Sequence, residues 1–160
     1  MKYVKTNCGI ALVEIVVGSA IILAAVLAIN VSYNTYLQYA LANQKNVESS
    51  YLLEEGLEAV TLLRDKGWVA NISKLSTTTT YYLNFVSSVW ATTTTAQYVD
   101  GVFLRSFSVV DVKRDGSDRI ALSGTYDPNT KKITATVAYW QGHSTTTRAI
   151  STYITNIYNN

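Results

Sequence analysis

A single charged group, the carboxylate of Glu14, lies near the start of an apolar segment. It is the only charge in the twenty residues from Ile10 to Ile29. A helix of that length rises about 30 Å, which matches the hydrocarbon core of a bilayer. A carboxylate there costs about 2.5–3.5 kcal/mol on insertion scales, and ionisable groups in membrane segments usually mark a function. Glu14 therefore predicts a partner that compensates its charge.

Three common kinds of N-terminal segment each leave part of this sequence unexplained. A secretory signal peptide has an apolar region of about 7–15 residues and a small-residue cleavage site soon after it. Here the run is longer, and the nearest such triplet, residues 40–42, lies well beyond it. A lipoprotein signal built on Cys8 would need an apolar stretch before the cysteine, but residues 1–7 read MKYVKTN. An ordinary signal anchor, started on the cytoplasmic side by Lys2 and Lys5, explains everything except Glu14.

Gly9 followed by Ile10-Ala11-Leu12-Val13-Glu14 resembles the prepilin cleavage motif of type IV pilins and pseudopilins. The motif has a glycine, an apolar residue that becomes the new N-terminus, and a glutamate fifth after the cut. The resemblance implies cleavage between Gly9 and Ile10 by a prepilin peptidase, with N-methylation of Ile10. Ile10 stands where phenylalanine or methionine is commoner in the family, and the family's frequent proline within the helix is absent.

Cleavage at that bond would create a free amine, which is positively charged at neutral pH. The amine and Glu14 are opposite charges on one apolar helix, and each compensates the other when both are buried between subunits. Glu14 is therefore predicted to be an assembly residue.

The resemblance also implies partners and a location. The partners are copies of the same chain or sister pilins, the prepilin peptidase, and an inner-membrane assembly platform with its ATPase. The protein would be a single-pass inner-membrane protein with its head outside, and then part of an extracellular or periplasmic filament. The alternative is a minor pilin at the filament tip, which binds a surface, DNA or a secreted substrate.

A second pattern predicts that the helix continues beyond the membrane segment, to Lys66. Leu53, Leu57 and Val60 share one face of a helix, with Leu63 beside them, and acidic side chains lie opposite. These four apolar residues are predicted to pack the helix against the head, and Gly67 is a plausible stop.

After Trp68 the composition changes to Thr, Ser, Tyr and Val, which favours strands. The candidate strands are residues 81–89, as one short strand or a hairpin, and residues 102–112, 119–122, 132–140 and 151–158. Turns are predicted at Asp115-Gly116 and Asp127-Pro128-Asn129. The fold class is α+β, a long helix on an antiparallel sheet of about four strands. The chain divides into a leader (1–9), a membrane or filament-core helix (10–29), the amphipathic half of the helix (30–67) and a β-rich head (68–160).

The sequence favours neither an enzyme nor a nucleic-acid-binding protein. It contains no phosphate loop, no G-x-S-x-G, no H-E-x-x-H and no cysteine–histidine cluster, and its only histidine, His143, falls in a predicted hairpin loop. The formal charge of +2 comes from Lys2 and Lys5, and their removal leaves eleven basic and eleven acidic residues. A neutral mature chain has no general attraction for nucleic acid.

Two further sets of polar or charged residues are weaker candidates for a functional site. Oxygen atoms of Asp115, Asp118, Asp127 and Asn129 suit calcium, but their spacing is not that of an EF-hand and turns use these residues anyway. We therefore expect no metal site and no cofactor. An acidic helix face and basic loops are a candidate contact between subunits, with a solvated surface as the alternative; the residues are Glu54, Glu55, Glu58, Lys113, Arg114, Lys131 and Lys132.

Overall fold

The structure of the protein is a computed structural model that describes residues 8–158. The chain divides into two compact units, Met1–Gln44 and Lys45–Asn160, and we call the second unit the head. The predicted leader, residues 1–9, lies outside the described residues except for the backbone of its last two, which is helical.

One long helix, α1, spans Cys8–Lys66, which confirms the predicted N-terminal helix. It ends where the sequence indicates, because Gly67 adopts a φ of +155°, a conformation that other residues rarely adopt. A π-helical turn, Val69–Ser73, follows. The side-chain amide of Asn71 donates to the carbonyl oxygens of Leu63 and Gly67, both at 3.1 Å, and so satisfies backbone groups that the helix end leaves unpaired.

The strands form one antiparallel sheet in the order β2-β1-β4-β6-β7, and two short strands, β3 and β5, also pair with β4. The described residues thus contain seven strands rather than about four, because residues 81–93 form a hairpin and β3 and β5 are two-residue additions. Their bounds are β1 Tyr81–Val86, β2 Val89–Thr93, β3 Tyr98–Val99, β4 Phe103–Arg114, β5 Ile120–Ala121, β6 Thr125–Gln141 and β7 Ser144–Thr155.

Alternate residues of β4 and β6 point toward the part of α1 that belongs to the head. Two clusters of buried side chains fill the space between them. Leu53 lies in one cluster, Val60 and Leu63 lie in the other, and the half-buried Leu57 contacts both. The sheet contributes Leu83, Phe103, Phe107, Val109, Ile133, Ala135, Val137, Tyr139 and Ile154.

The turn predicted at Asp127-Pro128-Asn129 is wrong, because β6 continues through these residues. The pairing of β4 with β6 shifts there: Asp111 pairs with Lys131, and the next residue, Val112, pairs with Asp127. The local turn chemistry is still present, since the backbone N–H of Asn129 donates to Oδ1 of Asp127 at 2.9 Å. The sequence signal therefore marks a bulge inside a strand.

Candidate functional site

The N-terminal part of α1 presents apolar side chains on every side. The large apolar residues from Ile10 to Ile29 are about half exposed or more, and Ile15 reaches 72%. Mean hydropathy reaches 2.7 in this region, so the helix is long and apolar enough to cross a membrane. Neither buried cluster of the head contains a residue from this unit.

Four polar side chains in the N-terminal unit, unlike Glu14, are satisfied within their own helix. Ser19 Oγ donates to the carbonyl oxygen of Val16 at 2.9 Å, and Asn30 Nδ2 donates to that of Val26 at 2.8 Å. Ser32 and Thr35 donate in the same way, four residues back. Such bonds hide a polar group within its own helix.

Glu14 has no comparable partner. Its carboxylate is exposed and forms no ion pair or side-chain hydrogen bond with any other described residue. A carboxylate has only acceptors, so it cannot use the carbonyl groups of its own helix as Ser19 does. Ile10 lies one turn earlier on the same face of the helix, and the α-amine that cleavage would create does not exist in the intact chain.

Three of the seven acidic and basic residues predicted to meet between subunits, Glu55, Arg114 and Lys131, form ion pairs within the head. Glu55 Oε2 lies 2.6 Å from Nη1 of Arg105, and Lys131, which is buried, pairs with Asp111 of the neighbouring strand. The predicted basic loops are also wrong as loops, because Lys113, Arg114, Lys131 and Lys132 lie in strands β4 and β6. Glu54 and Glu58 are exposed, as a solvated helix face requires.

The electrostatics of the Lys131 pair follow from its surroundings. Burial lowers the pKa of Lys131, but the hydrogen bonds from its ammonium group to Asp111 and Tyr126 outweigh burial and leave that pKa above its usual value. The ammonium group thus stays charged, and it serves to hold β4 and β6 together.

The oxygen atoms considered for calcium are arranged around an arginine. Arg114 Nε donates to Oδ2 of Asp127 at 2.7 Å, and Arg114 Nη1 donates to the backbone oxygen of Asp118 at 2.9 Å. Asp115 Oδ1 accepts from the backbone N–H groups of Ser117 and Arg119. Within the described residues no group of three or more acidic, histidine or cysteine side chains converges.

These contacts set the pKa of Asp127. Burial raises it, but hydrogen bonds from Arg114, Thr130 and the backbone of Asn129, with the positive charge of Arg114, bring it below its usual value. Arg114 and Asp127 therefore form an ion pair that holds the bulge in place, and the cation bound by Asp127 is the guanidinium group.

His143 is exposed in the turn between β6 and β7, as predicted. The tryptophans have different surroundings: Trp68 is buried in the core, Trp90 is half-buried, and Trp140 is 59% exposed. Trp140 therefore lies largely outside the packing between the sheet and the helix.

Sequence reasoning missed a cleft in the head of about 410 Å³. Five elements line it: α1 through Glu55, β1 through Asn84 and Phe85, β2 through Trp90, β3 with the residue before it, and β4 through Arg105. One signal was available, because Arg105 lies between Phe103 and Phe107 at a position of β4 that faces the core. A charged residue in an apolar alternation indicates either a buried ion pair or a ligand.

Comparisons with known proteins add no relative: no family model, no curated protein and no solved structure matches this chain. Its function must be argued from its own residues.

Proposed function

We propose that the protein is a structural subunit of a type IV pilus-like or pseudopilus filament. In this proposal a prepilin peptidase cuts after Gly9, and the apolar helix anchors the subunit in the inner membrane with its head outside. Subunits then polymerise, through their helices, on a membrane platform driven by an ATPase. The protein has no catalytic role of its own.

The observation that carries the proposal is the unpartnered carboxylate of Glu14. Every other polar side chain in residues 10–29, which means Ser19 alone, is satisfied by its own helix. Glu14 needs a donor or a cation from elsewhere to enter a bilayer or a protein core as a charge. Removal of the leader would supply that cation, because the new amine at Ile10 carries a positive charge at neutral pH.

The independence of the head core gives further support. The residues of both buried clusters lie between Leu52 and Ile154, so the head does not need the apolar side chains of residues 10–44 for its own packing. Those side chains are left for lipid and for other subunits. In a filament, helix packing between copies would cover them and would bring Glu14 beside a neighbour's amine.

Substitution of Glu14 tests the proposal. Glu14→Leu removes an insertion penalty of about 2.5–3.5 kcal/mol, so the membrane pool should not fall. The amine of a neighbour then loses its partner, and an uncompensated buried charge costs about 3–5 kcal/mol at each contact. We expect filament yield, measured by shearing and electron microscopy, to fall at least tenfold, with Glu14→Gln also deficient and Glu14→Asp intermediate.

Ser19→Ala is the matched control. It also removes a polar group from the apolar segment, but one whose hydrogen bond lies within its own helix, so filament yield should stay normal. Normal filaments from Glu14→Leu would show that the carboxylate plays no part in assembly. Loss of the Glu14→Leu protein from the membrane would show instead that Glu14 acts in insertion, contrary to the proposal.

A further inference from the structure

We infer that the cleft beside Arg105 is a binding site for a neutral saccharide, of the size of a mono- or disaccharide. This inference does not depend on assembly, because every lining residue belongs to the head. The cleft volume of about 410 Å³ lies in the range usual for small-ligand sites.

Arg105 is the first reason to see a ligand site there. Its side chain is 5% exposed, and Nη1 lies 2.6 Å from Oε2 of Glu55, which makes an ion pair. Nevertheless neither Nη1 nor Nε has a hydrogen-bond acceptor in a suitable direction among the described residues. A buried guanidinium group with unsatisfied donors is unusual, since buried polar groups are nearly always hydrogen-bonded. The guanidinium group of Arg105 therefore has hydrogen-bonding capacity that an oxygen atom of a ligand beside Glu55 would use.

The second reason is that the helix makes room for this arginine. Gly56 lies in the interior of α1, where glycine weakens a helix. A Cβ atom at Gly56 would lie 3.3 Å from Cδ of Arg105, tighter than most such contacts. The glycine therefore lets the side chain of Arg105 pass beneath the helix toward Glu55 and the cleft.

The walls of the cleft indicate the class of ligand. Phe85 and Tyr98 are more than half exposed, and Trp90, whose ring lies 5.1 Å from the guanidinium carbon of Arg105, is half-buried beside them. Exposed aromatic rings suit the apolar C–H face of a pyranose. The amide groups of Asn84 and Gln97 both donate and accept hydrogen bonds, as do sugar hydroxyl groups.

Charge excludes the simpler ligands. Glu55 neutralises Arg105, so the cleft offers no net positive charge to a free anion, and Arg105 repels a cation that would otherwise bind Glu55 and the rings. A polyol can form hydrogen bonds with both charged groups at once, because a hydroxyl group accepts from the guanidinium group of Arg105 and donates to the carboxylate of Glu55.

The test uses the full chain in lipid nanodiscs and a panel of methyl pyranosides: the glucoside, mannoside, galactoside and N-acetylglucosaminide. Binding is followed by saturation-transfer NMR with titration. We expect at least one glycoside to bind saturably, and Gln97→Ala and Tyr98→Ala each to weaken its affinity about tenfold, as loss of a well-placed polar or aromatic contact does.

Two variants provide matched controls. Tyr153→Ala removes an exposed tyrosine of β7, and Gln141→Ala removes a half-buried glutamine at the end of β6; neither residue lines the cleft, so affinity should stay within about twofold. Circular dichroism of all four variants checks that the head is folded. The inference fails if no glycoside binds at millimolar concentration, or if the cleft variants bind as well as wild type. It also fails if sodium benzoate or tetramethylammonium binds the cleft in preference to every glycoside.

Discussion

The packing of α1 on the sheet can be tested by two adjacent leucines of the same helix. Leu63 is 3% exposed and lies in the core with Trp68, whereas Leu62 is 55% exposed. Leu63→Ala and Leu62→Ala remove the same atoms and change helix propensity equally. The difference between their effects therefore measures burial against the sheet.

The burial of each leucine sets the expected change in the free energy of unfolding. Truncation of a fully buried leucine to alanine costs about 2–5 kcal/mol, which is a large share of the roughly 5–15 kcal/mol that stabilises a typical domain. Truncation of a leucine that is more than half exposed should change the free energy of unfolding by about 0.5 kcal/mol or less. With a urea dependence of about 1.5 kcal/mol per molar, Leu63→Ala should lower the urea midpoint by about 1.3–3.3 M.

The assay is urea unfolding of a fragment that contains residues 45–160, followed by circular dichroism and by tryptophan fluorescence. We expect this fragment to fold, because it carries both buried clusters. A fragment that contains residues 68–160 should not fold, because it lacks Leu53, Val60 and Leu63. Coincident transitions by the two probes would justify the use of a single free energy.

Equal destabilisation by Leu62→Ala and Leu63→Ala would refute the orientation of α1 in which Leu63 faces the sheet and Leu62 is exposed. A stably folded 68–160 fragment would refute the larger claim that α1 completes the core of the head.

The remaining predictions concern processing and pH. Mass spectrometry of membrane protein should give a chain that begins at Ile10, whereas Gly9→Val should leave the uncut precursor in the membrane; a mature N-terminus at Met1 would contradict the cleavage motif. The depressed pKa of Asp127 means that its carboxylate stabilises the fold above the unfolded pKa of about 3.9, and this contribution is lost as pH falls through the lower, folded pKa. Asp127→Asn should therefore lower the urea midpoint at pH 7 but make it less sensitive to acid below about pH 4, and equal acid sensitivity in the two proteins would show that another group is responsible. The raised pKa of Lys131 gives stability the opposite pH dependence: the contribution of its ammonium group is complete below the unfolded pKa of about 10.4 and is lost as pH rises through the folded pKa. Lys131→Met should therefore reduce the loss of stability at alkaline pH. Lys132→Met, at the adjacent residue, should leave that loss unchanged.

The periodic elements could be predicted from the sequence because their signals are local. The apolar residues at helical spacing from Leu53 to Leu63, and the alternation in residues 103–112 and 132–140, reflect the fixed geometry of a helix and a strand. The isolated carboxylate of Glu14 is also a local signal, because an apolar segment with one charged residue can be recognised from the sequence without knowledge of tertiary contacts. Gly67 could be placed at the helix end for the same reason.

The turn between β1 and β2 could be placed only by the structure. Ser87 and Ser88 both adopt positive φ, of 52° and 63°, which a two-residue hairpin turn requires and which is usually provided by asparagine and glycine. The serines therefore give no turn signal of their own. Pairing of the flanking strands over five residue pairs stabilises the conformation.

Only the tertiary structure could decide which charged groups meet. Lys131 and Lys132 are adjacent and chemically identical, yet the register of β6 buries the first beside Asp111 and leaves the second half-exposed. Arg105 and Glu55 are fifty residues apart, and the cleft around them exists because five elements converge there. Local periodicity determines which face of a strand or helix is apolar, but strand order and register determine what that face touches, and these depend on the packing of the whole head.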